Sequence, residues 1–204
     1  GSEMCIRDRI RTIGITKAGT VKSARGSKEF TMRKCLITVD YQVDFVNGSL
    51  GFDGAEKLEN VIAEKIKKYR AEGADIIFTL DTHQCDYLTT FEGRILPIEH
   101  CIEYTKGHEL YGKIKSMVQP NDKVFKKCTY GSEALFDYLR KCDYKEIELC
   151  GLVSNICVIS NAVLARTALP NARLTVDSNA TASNDNGLNT AALNVMRGLG
   201  ITVI

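Results

Sequence analysis

None of the eight cysteines in this 204-residue chain stands in a Cys-x-x-Cys pair. That excludes the zinc-finger and thioredoxin-type arrangements. No run approaches the roughly 18 consecutive apolar residues of a membrane-spanning helix, so no membrane partner is expected. No apolar signal-peptide core precedes the first strong strand, and several cysteines fall in apolar strands. The expectation is a cytoplasmic protein with free thiols. Neither sign of charge dominates: 27 Lys and Arg face 25 Asp and Glu. The basic surplus is confined to residues 1–31, which hold seven bases and three acids and leave 20 bases against 22 acids for the remainder. So neutral a domain argues against a nucleic-acid partner. Internal repeats and low-complexity tracts are also missing.

What is present is one sizeable domain and a dissimilar start. Residues 1–31 are rich in Arg, Lys, Gly, Ser and Thr and show no sustained period. They read as a basic tail, disordered or left by a cleaved tag, rather than a targeting segment, because Glu3, Asp8 and Glu29 count against a transit peptide. Met32 stands where the domain, residues 32–204, would begin. From there apolar strands and amphipathic helices alternate. Strands are expected at Cys35–Val39, Ile76–Leu80, Asp122–Phe125, Ile147–Leu152, Arg173–Val176 and Ile201–Ile204. Helices are expected at Ala55–Arg70, Leu110–Met117, Ser132–Lys141 (Ser132 as N-cap), Cys157–Leu169 and Leu188–Leu199. Residues 82–108 make a long irregular connection that holds all three histidines, and so long a loop is usually functional or disordered. The alternation predicts an α/β three-layer, doubly wound sandwich around a six-stranded, mainly parallel sheet.

Ligands of such sheets bind beyond the carboxyl ends of the strands. The first strand–helix turn lacks a phosphate-binding glycine fingerprint, which disfavours dinucleotides. The residues at the strand ends are Asp40, then Asp81 and His83, then Lys127, then Cys157. Cys157 is expected in the first turn of a helix, where free N–H groups and the helix dipole favour a thiolate. The same position makes it the thiol expected to react first with an alkylator. Each residue also has a structural reading: a buried apolar cysteine, a capping aspartate, a solvated lysine, a packed histidine. Their coincidence at one sheet edge favours a site.

Several motifs then carry a resemblance. Val39-Asp40-Tyr41-Gln42-Val43-Asp44-Phe45 resembles the first-strand motif V-D-x-Q-x-D-F of the isochorismatase-like cysteine hydrolases. Asp81-Thr82-His83 resembles the D-x-H metal motif of their nicotinamidase branch, and Leu96-Pro97-Ile98-Glu99-His100-Cys101 its P-x-H-C segment with one extra residue. Lys127-Cys128-Thr129-Tyr130 resembles the K-x-x-Y around a catalytic lysine, and Gly151 to Val158 the turn bearing the nucleophile.

The resemblance implies an amidohydrolase that converts nicotinamide to nicotinic acid and ammonia through a cysteine thioester, in NAD salvage. Its triad would be Cys157, Asp40 and Lys127. The oxyanion donors would be the backbone N–H groups of Val153 and Cys157, with a cis peptide between Leu152 and Val153. One divalent transition metal, zinc first and iron or manganese as alternatives, would be held by Asp81, His83, His100 and Glu92, with Glu99 as the weaker rival for the last place. Phe45, Leu96 and Tyr130 would line the substrate, Leu96 replacing the tryptophan common before the proline. His108 reads as a surface residue. The alternatives are a related cysteine hydrolase acting on another amide or an ether, and a non-enzymatic metal- or redox-sensing module. Assembly into a homo-oligomer is left open.

Overall fold

The run Cys35-Leu36-Ile37-Thr38-Val39 is wholly buried, so its strand has a packed layer on each face. A computed structural model of the protein describes residues 33–204; the expected tail and Met32 lie outside them. The chain order is β1 (Lys34–Val39), α1 (Val43–Val46), a 3-10 turn (Ala55–Lys57) leading into α2 (Leu58–Ala71), and β2 (Asp75–Asp81). A second 3-10 turn (Tyr87–Thr89), α3 (Phe91–Ile95), α4 (Gly112–Met117), β3 (Lys123–Lys127), α5 (Glu133–Leu139) and β4 (Glu146–Leu152) follow. A π-helical turn (Ser154–Val158) then opens α6 (Ile159–Ala168), before β5 (Arg173–Ala182), α7 (Asn186–Gly198) and β6 (Thr202–Val203).

The six strands form one sheet in the order β3-β2-β1-β4-β5-β6, and every pairing is parallel. One face is covered by α1, α2 and α4, which supply Phe45, Leu58, Ile62, Ile66 and Ile114 against Leu36, Ile76 and Phe78. The other is covered by α5, α6 and α7, which supply Leu135, Leu139, Ala162, Ala165, Leu193 and Met196 against Ile37, Val39, Ile77 and Leu149. Neighbouring β1 residues thus serve opposite layers, as a period of two requires. No helix among the described residues is long and apolar enough to cross a membrane, and all seven described cysteines are free.

The strand order creates a place for a ligand. The chain winds outward from β1 to β3, then crosses back so that β4 lies on the other side of β1. That reversal opens a crevice beyond the carboxyl ends of β1 and β4. Gly151 lets the two strands approach there: its φ is +112°, and a Cβ would sit 2.0 Å from the Val39 carbonyl oxygen.

The expected elements are found, with shifts that have local causes. Ser132 caps α5, its Oγ accepting from Leu135 N–H at 3.1 Å. α7 begins two residues earlier than expected because Asp185 caps it, accepting from Leu188 N–H at 2.8 Å. β5 continues past Val176 through a bulge: Leu149 pairs with Val176, yet Gly151 pairs with Thr181. The polar run Asp177-Ser178-Asn179 occupies the bulge, with Asn179 N–H bonded to Asp177 Oδ1 at 2.8 Å. β3 runs on to Lys127 although two lysines end it, as an edge strand can. The long connection after β2 folds back on itself through an isolated pairing of His83 with Ile102, with His83 N–H bonded to Cys101 O at 3.0 Å and Glu103 N–H to His83 O at 2.8 Å.

Candidate active site

Four neighbouring strand ends deliver four functional groups. Asp40 leaves β1 with φ +45°, a left-handed conformation that is rare outside glycine and asparagine-like residues. Its Oδ1 accepts from Thr79 Oγ1 at 2.6 Å. Asp81 ends β2 and Lys127 ends β3, directly paired in the sheet register. Cys157 lies in the π-helical turn after β4, whose i to i−5 bond runs from Val158 N–H to Val153 O at 3.1 Å. The peptide between Leu152 and Val153 is cis, as the resemblance implied.

Lys127 is the hub. Its Nζ lies 2.7 Å from Asp40 Oδ2, 3.0 Å from Asp81 Oδ1 and 3.6 Å from Cys157 Sγ. Burial disfavours the ammonium, but Asp40, Cys157 and Asp81 together outweigh it and hold the proton on firmly. Burial pushes the Asp40 carboxyl up, with the Asp81 charge acting in the same direction and Lys127 against it. Burial also pushes the Cys157 thiol well above its ordinary value; the Asp40 charge adds to this and Lys127 opposes it. The expected helix-terminus thiolate is therefore corrected. Desolvation outweighs the helix terminus, and burial favours the neutral thiol of Cys157.

Alternation along β3 separates the adjacent lysines. Lys127 is buried, whereas Lys126 is exposed and bonded to Glu103. Replacing Lys127 by alanine is expected to lower turnover by on the order of 10²–10⁴-fold, since it leaves two buried carboxylates without their counter-charge. Replacing Lys126 should change turnover less than about twofold, because exposed ion pairs contribute little. Equal losses in steady-state assays would overturn the assignment.

The second half of Asp81 faces a histidine cluster. Its Oδ2 lies 3.1 Å from His83 Nε2 and 3.4 Å from His100 Nε2, and one donor atom from each of the three residues lies within 4.8 Å of the others. Burial works against the Asp81 charge, yet bonds from His100 and His83 and the Lys127 ammonium hold the carboxyl well below the usual range. His100 Nδ1 is 2.8 Å from the Ile98 carbonyl. A carbonyl only accepts, so Nδ1 carries a proton, and Nε2, which faces Asp81 here, is the nitrogen that would ligate a metal. Glu92 Oε1 stands 3.9 Å and 4.0 Å from the same two imidazoles, while Glu99 is exposed. Glu92 is aimed there by α3. Thr90 caps that helix, accepting from Gly93 N–H at 3.0 Å, and a Cβ on Gly93 would lie 2.1 Å from Tyr87 O, so the helix is pressed onto the preceding turn. One carboxylate and two imidazoles, with a second carboxylate nearby, suit zinc, iron or manganese.

A cleft of about 440 Å³ opens over this cluster, its lining including His83, Tyr87, Phe91, Glu92, Cys128 and Tyr130. Tyr130 is 43% exposed there. Phe45 and Leu96 do not line this cleft. Phe45 packs its ring 5.6 Å from that of His100, and Leu96 is half-buried, its carbonyl accepting from the Tyr87 hydroxyl at 2.9 Å. Tyr87 is the aromatic residue that sequence reasoning missed: its ring centroid is 4.6 Å from His83 and 4.9 Å from His100. His108 is not a surface residue; it is half-buried, with Nε2 2.8 Å from Thr82 Oγ1.

Thr79 and Asn161 were also missed. Asn161 is fully buried. Its Nδ2 donates to the carbonyls of Cys157 at 2.8 Å and Tyr130 at 3.1 Å, and its Oδ1 accepts from Ser132 N–H at 3.0 Å. It ties the turn that carries Cys157 to the loop after β3. Its position four residues beyond Cys157, on the same helical face, was the available signal.

Residues 34–204 match the family model described as the isochorismatase domain. An uncharacterized isochorismatase family protein PncA of Bacillus subtilis is 32% identical over 143 residues, covering 65% of this chain and 78% of that one. The crystal structure of a nicotinamidase PncA from Bacillus subtilis superposes with a TM-score of 0.73 at 29% identity, over 84% of this chain and 99% of that one. A pyrazinamidase/nicotinamidase from Streptococcus mutans gives 0.75 at 28% identity, over 84% and 99%.

Proposed function

The chain belongs to the isochorismatase family of hydrolases, and on that premise we propose that it is a nicotinamidase, hydrolysing nicotinamide to nicotinic acid and ammonia in cytoplasmic NAD salvage. The observation that carries this reading is Lys127, whose single ammonium touches the base Asp40, the nucleophile Cys157 and the cluster carboxylate Asp81. It joins an acyl-transfer triad to a donor set that suits a pyridine ring's metal anchor.

The catalytic steps use that geometry. Asp40 takes the thiol proton of Cys157 as sulfur attacks the amide carbon. The backbone N–H groups of Val153 and Cys157 donate to the oxyanion that develops. Asp40, now protonated, delivers its proton to the departing amine, releasing ammonia and leaving a thioester. A water that gives its proton to Asp40 attacks the thioester carbon, and the thiol is regenerated with nicotinic acid. Lys127 stays protonated throughout and offsets the negative charge that passes between Cys157 and Asp40. A divalent metal, when bound by Asp81, His83, His100 and Glu92, supplies a Lewis-acid anchor for the ring nitrogen. Tyr130 and Tyr87 line the cleft and would flank the ring.

Purified protein should release ammonia and nicotinic acid from nicotinamide, and act on pyrazinamide as well. Faster ammonia release from a ureido substrate, with none from either pyridine-type amide, would instead place the chain in another branch of the family.

A further inference from the structure

Two residues of the first-strand motif take no part in acyl transfer, yet both are fully engaged. We infer that Gln42 and Asp44 are positioning residues that hold the two arms of the metal site from a single short segment. The inference rests on the metal reading of Asp81, His83 and His100.

Gln42 is wholly buried. Its Oε1 accepts from the Asp81 N–H at 2.8 Å, and its Nε2 donates to the Asp81 carbonyl at 2.9 Å and to the His108 carbonyl at 2.9 Å. The first two bonds grip both peptide groups of Asp81, and so fix the direction in which its carboxylate leaves β2. A hydrocarbon side chain of the same length would fill the space without that grip.

Asp44 grips the other arm. Its Oδ2 accepts from Cys101 N–H at 2.7 Å and its Oδ1 from Ser49 N–H at 3.2 Å. The first bond is made to the peptide that joins His100 to Cys101, and Cys101 has a left-handed φ of +46°. A β-carbon-bearing residue holds that conformation only where its surroundings impose it. The carboxylate is itself boxed in: a Cβ at Gly107 would lie 1.9 Å from Asp44 Oδ2, and one at Gly48 2.3 Å from Oδ1. The segment is anchored in turn by Asp44 N–H to Gly107 O at 3.1 Å and Val43 N–H to Glu109 O at 2.9 Å. Asp81 and His100 belong to different parts of the chain, a strand end and a long loop. Their mutual geometry is therefore set by whatever binds both, and residues 42–44 do.

The test is Zn²⁺ affinity, measured by competition with a chromophoric chelator on chelator-stripped protein, at a temperature where each variant is folded by circular dichroism. Gln42→Met and Asp44→Ala should each weaken Zn²⁺ binding by roughly 10–100-fold, the range for partners that orient metal ligands. Asp44→Asn keeps an acceptor for the Cys101 N–H and should recover most of the loss. If Gln42→Met fails to fold, Gln42→Glu carries its test, since it keeps an acceptor for the Asp81 N–H and loses at least one of the two donated bonds; if Asp44→Ala fails, Asp44→Leu, which offers the Cys101 N–H no acceptor, carries the other. Folded variants that bind Zn²⁺ as tightly as the wild type would overturn the inference alone. A wild-type protein that binds no Zn²⁺ would overturn the metal reading and the inference with it.

Discussion

Cys157→Ala is expected to reduce nicotinamide hydrolysis by on the order of 10⁴-fold or more, to trace, because removing a covalent nucleophile removes the pathway and not one contact within it. The fold should persist. The substitution deletes one sulfur from a site that is already 5% exposed, a change worth about 1 kcal/mol, and a thermal melt should shift by a few degrees at most. Labelling gives a second readout. A neutral thiol behind a nearly closed surface is a poor target for a small alkylator, whereas Cys85 and Cys128 are exposed. Mass spectrometry should therefore find a small alkylator on Cys85 and Cys128 first. An electrophile built on a pyridine ring should be found on Cys157, where Asp40 can take the thiol proton as the bond forms. The alanine variant retaining more than trace turnover, or the ring-based electrophile labelling other cysteines first, would remove Cys157 from the mechanism.

The surroundings of Cys157 mark where its sequence position is informative and where it is not. Asp40, Asp81, Lys127 and Cys157 were legible because each follows or ends a strand, and parallel strands bring their carboxyl ends to one edge. The other three all lie within 3.6 Å of the Lys127 nitrogen. Which protonation state Cys157 rests in was not legible. That depends on burial and on the distance to Asp40, both properties of the tertiary structure, and they reverse the inference drawn from a helix start. The second half of β5 was hidden for a related reason: Asp177, Ser178 and Asn179 break the apolar pattern, yet a bulge accommodates them within a strand. Gln42 and Asp44 were visible as motif letters, but their work is done on the backbone of residues about 40 and 57 positions away, and no local pattern reports that.

Removing metal is expected to have the other large effect, and it discriminates between substrates as well as between mechanisms. Chelation or His83→Ala should lower kcat/KM for nicotinamide by on the order of 10²-fold, the loss expected when a reacting group is held about 1 Å out of place. The proposed metal site and the proposed triad meet at Asp81 but would use different atoms of it. His83 and His100 face Asp81 Oδ2, while the triad uses Asp81 only through Lys127 and Oδ1. The two oxygens of one carboxylate face different partners, so emptying the histidine side should leave Asp40, Lys127 and Cys157 in contact. Labelling of Cys157 by the ring-based electrophile should consequently slow because ring binding is lost, whereas labelling by a small alkylator in excess should stay within about twofold. Benzamide, which has the same amide but no ring nitrogen, should be a poor substrate before chelation and should lose little more after it. The controlling comparison is therefore the ratio of nicotinamide to benzamide turnover, with and without chelator. A ratio near one in the untreated enzyme, or active enzyme that contains no transition metal by elemental analysis, would leave the cysteine-hydrolase chemistry standing and remove the pyridine ring from the proposed function.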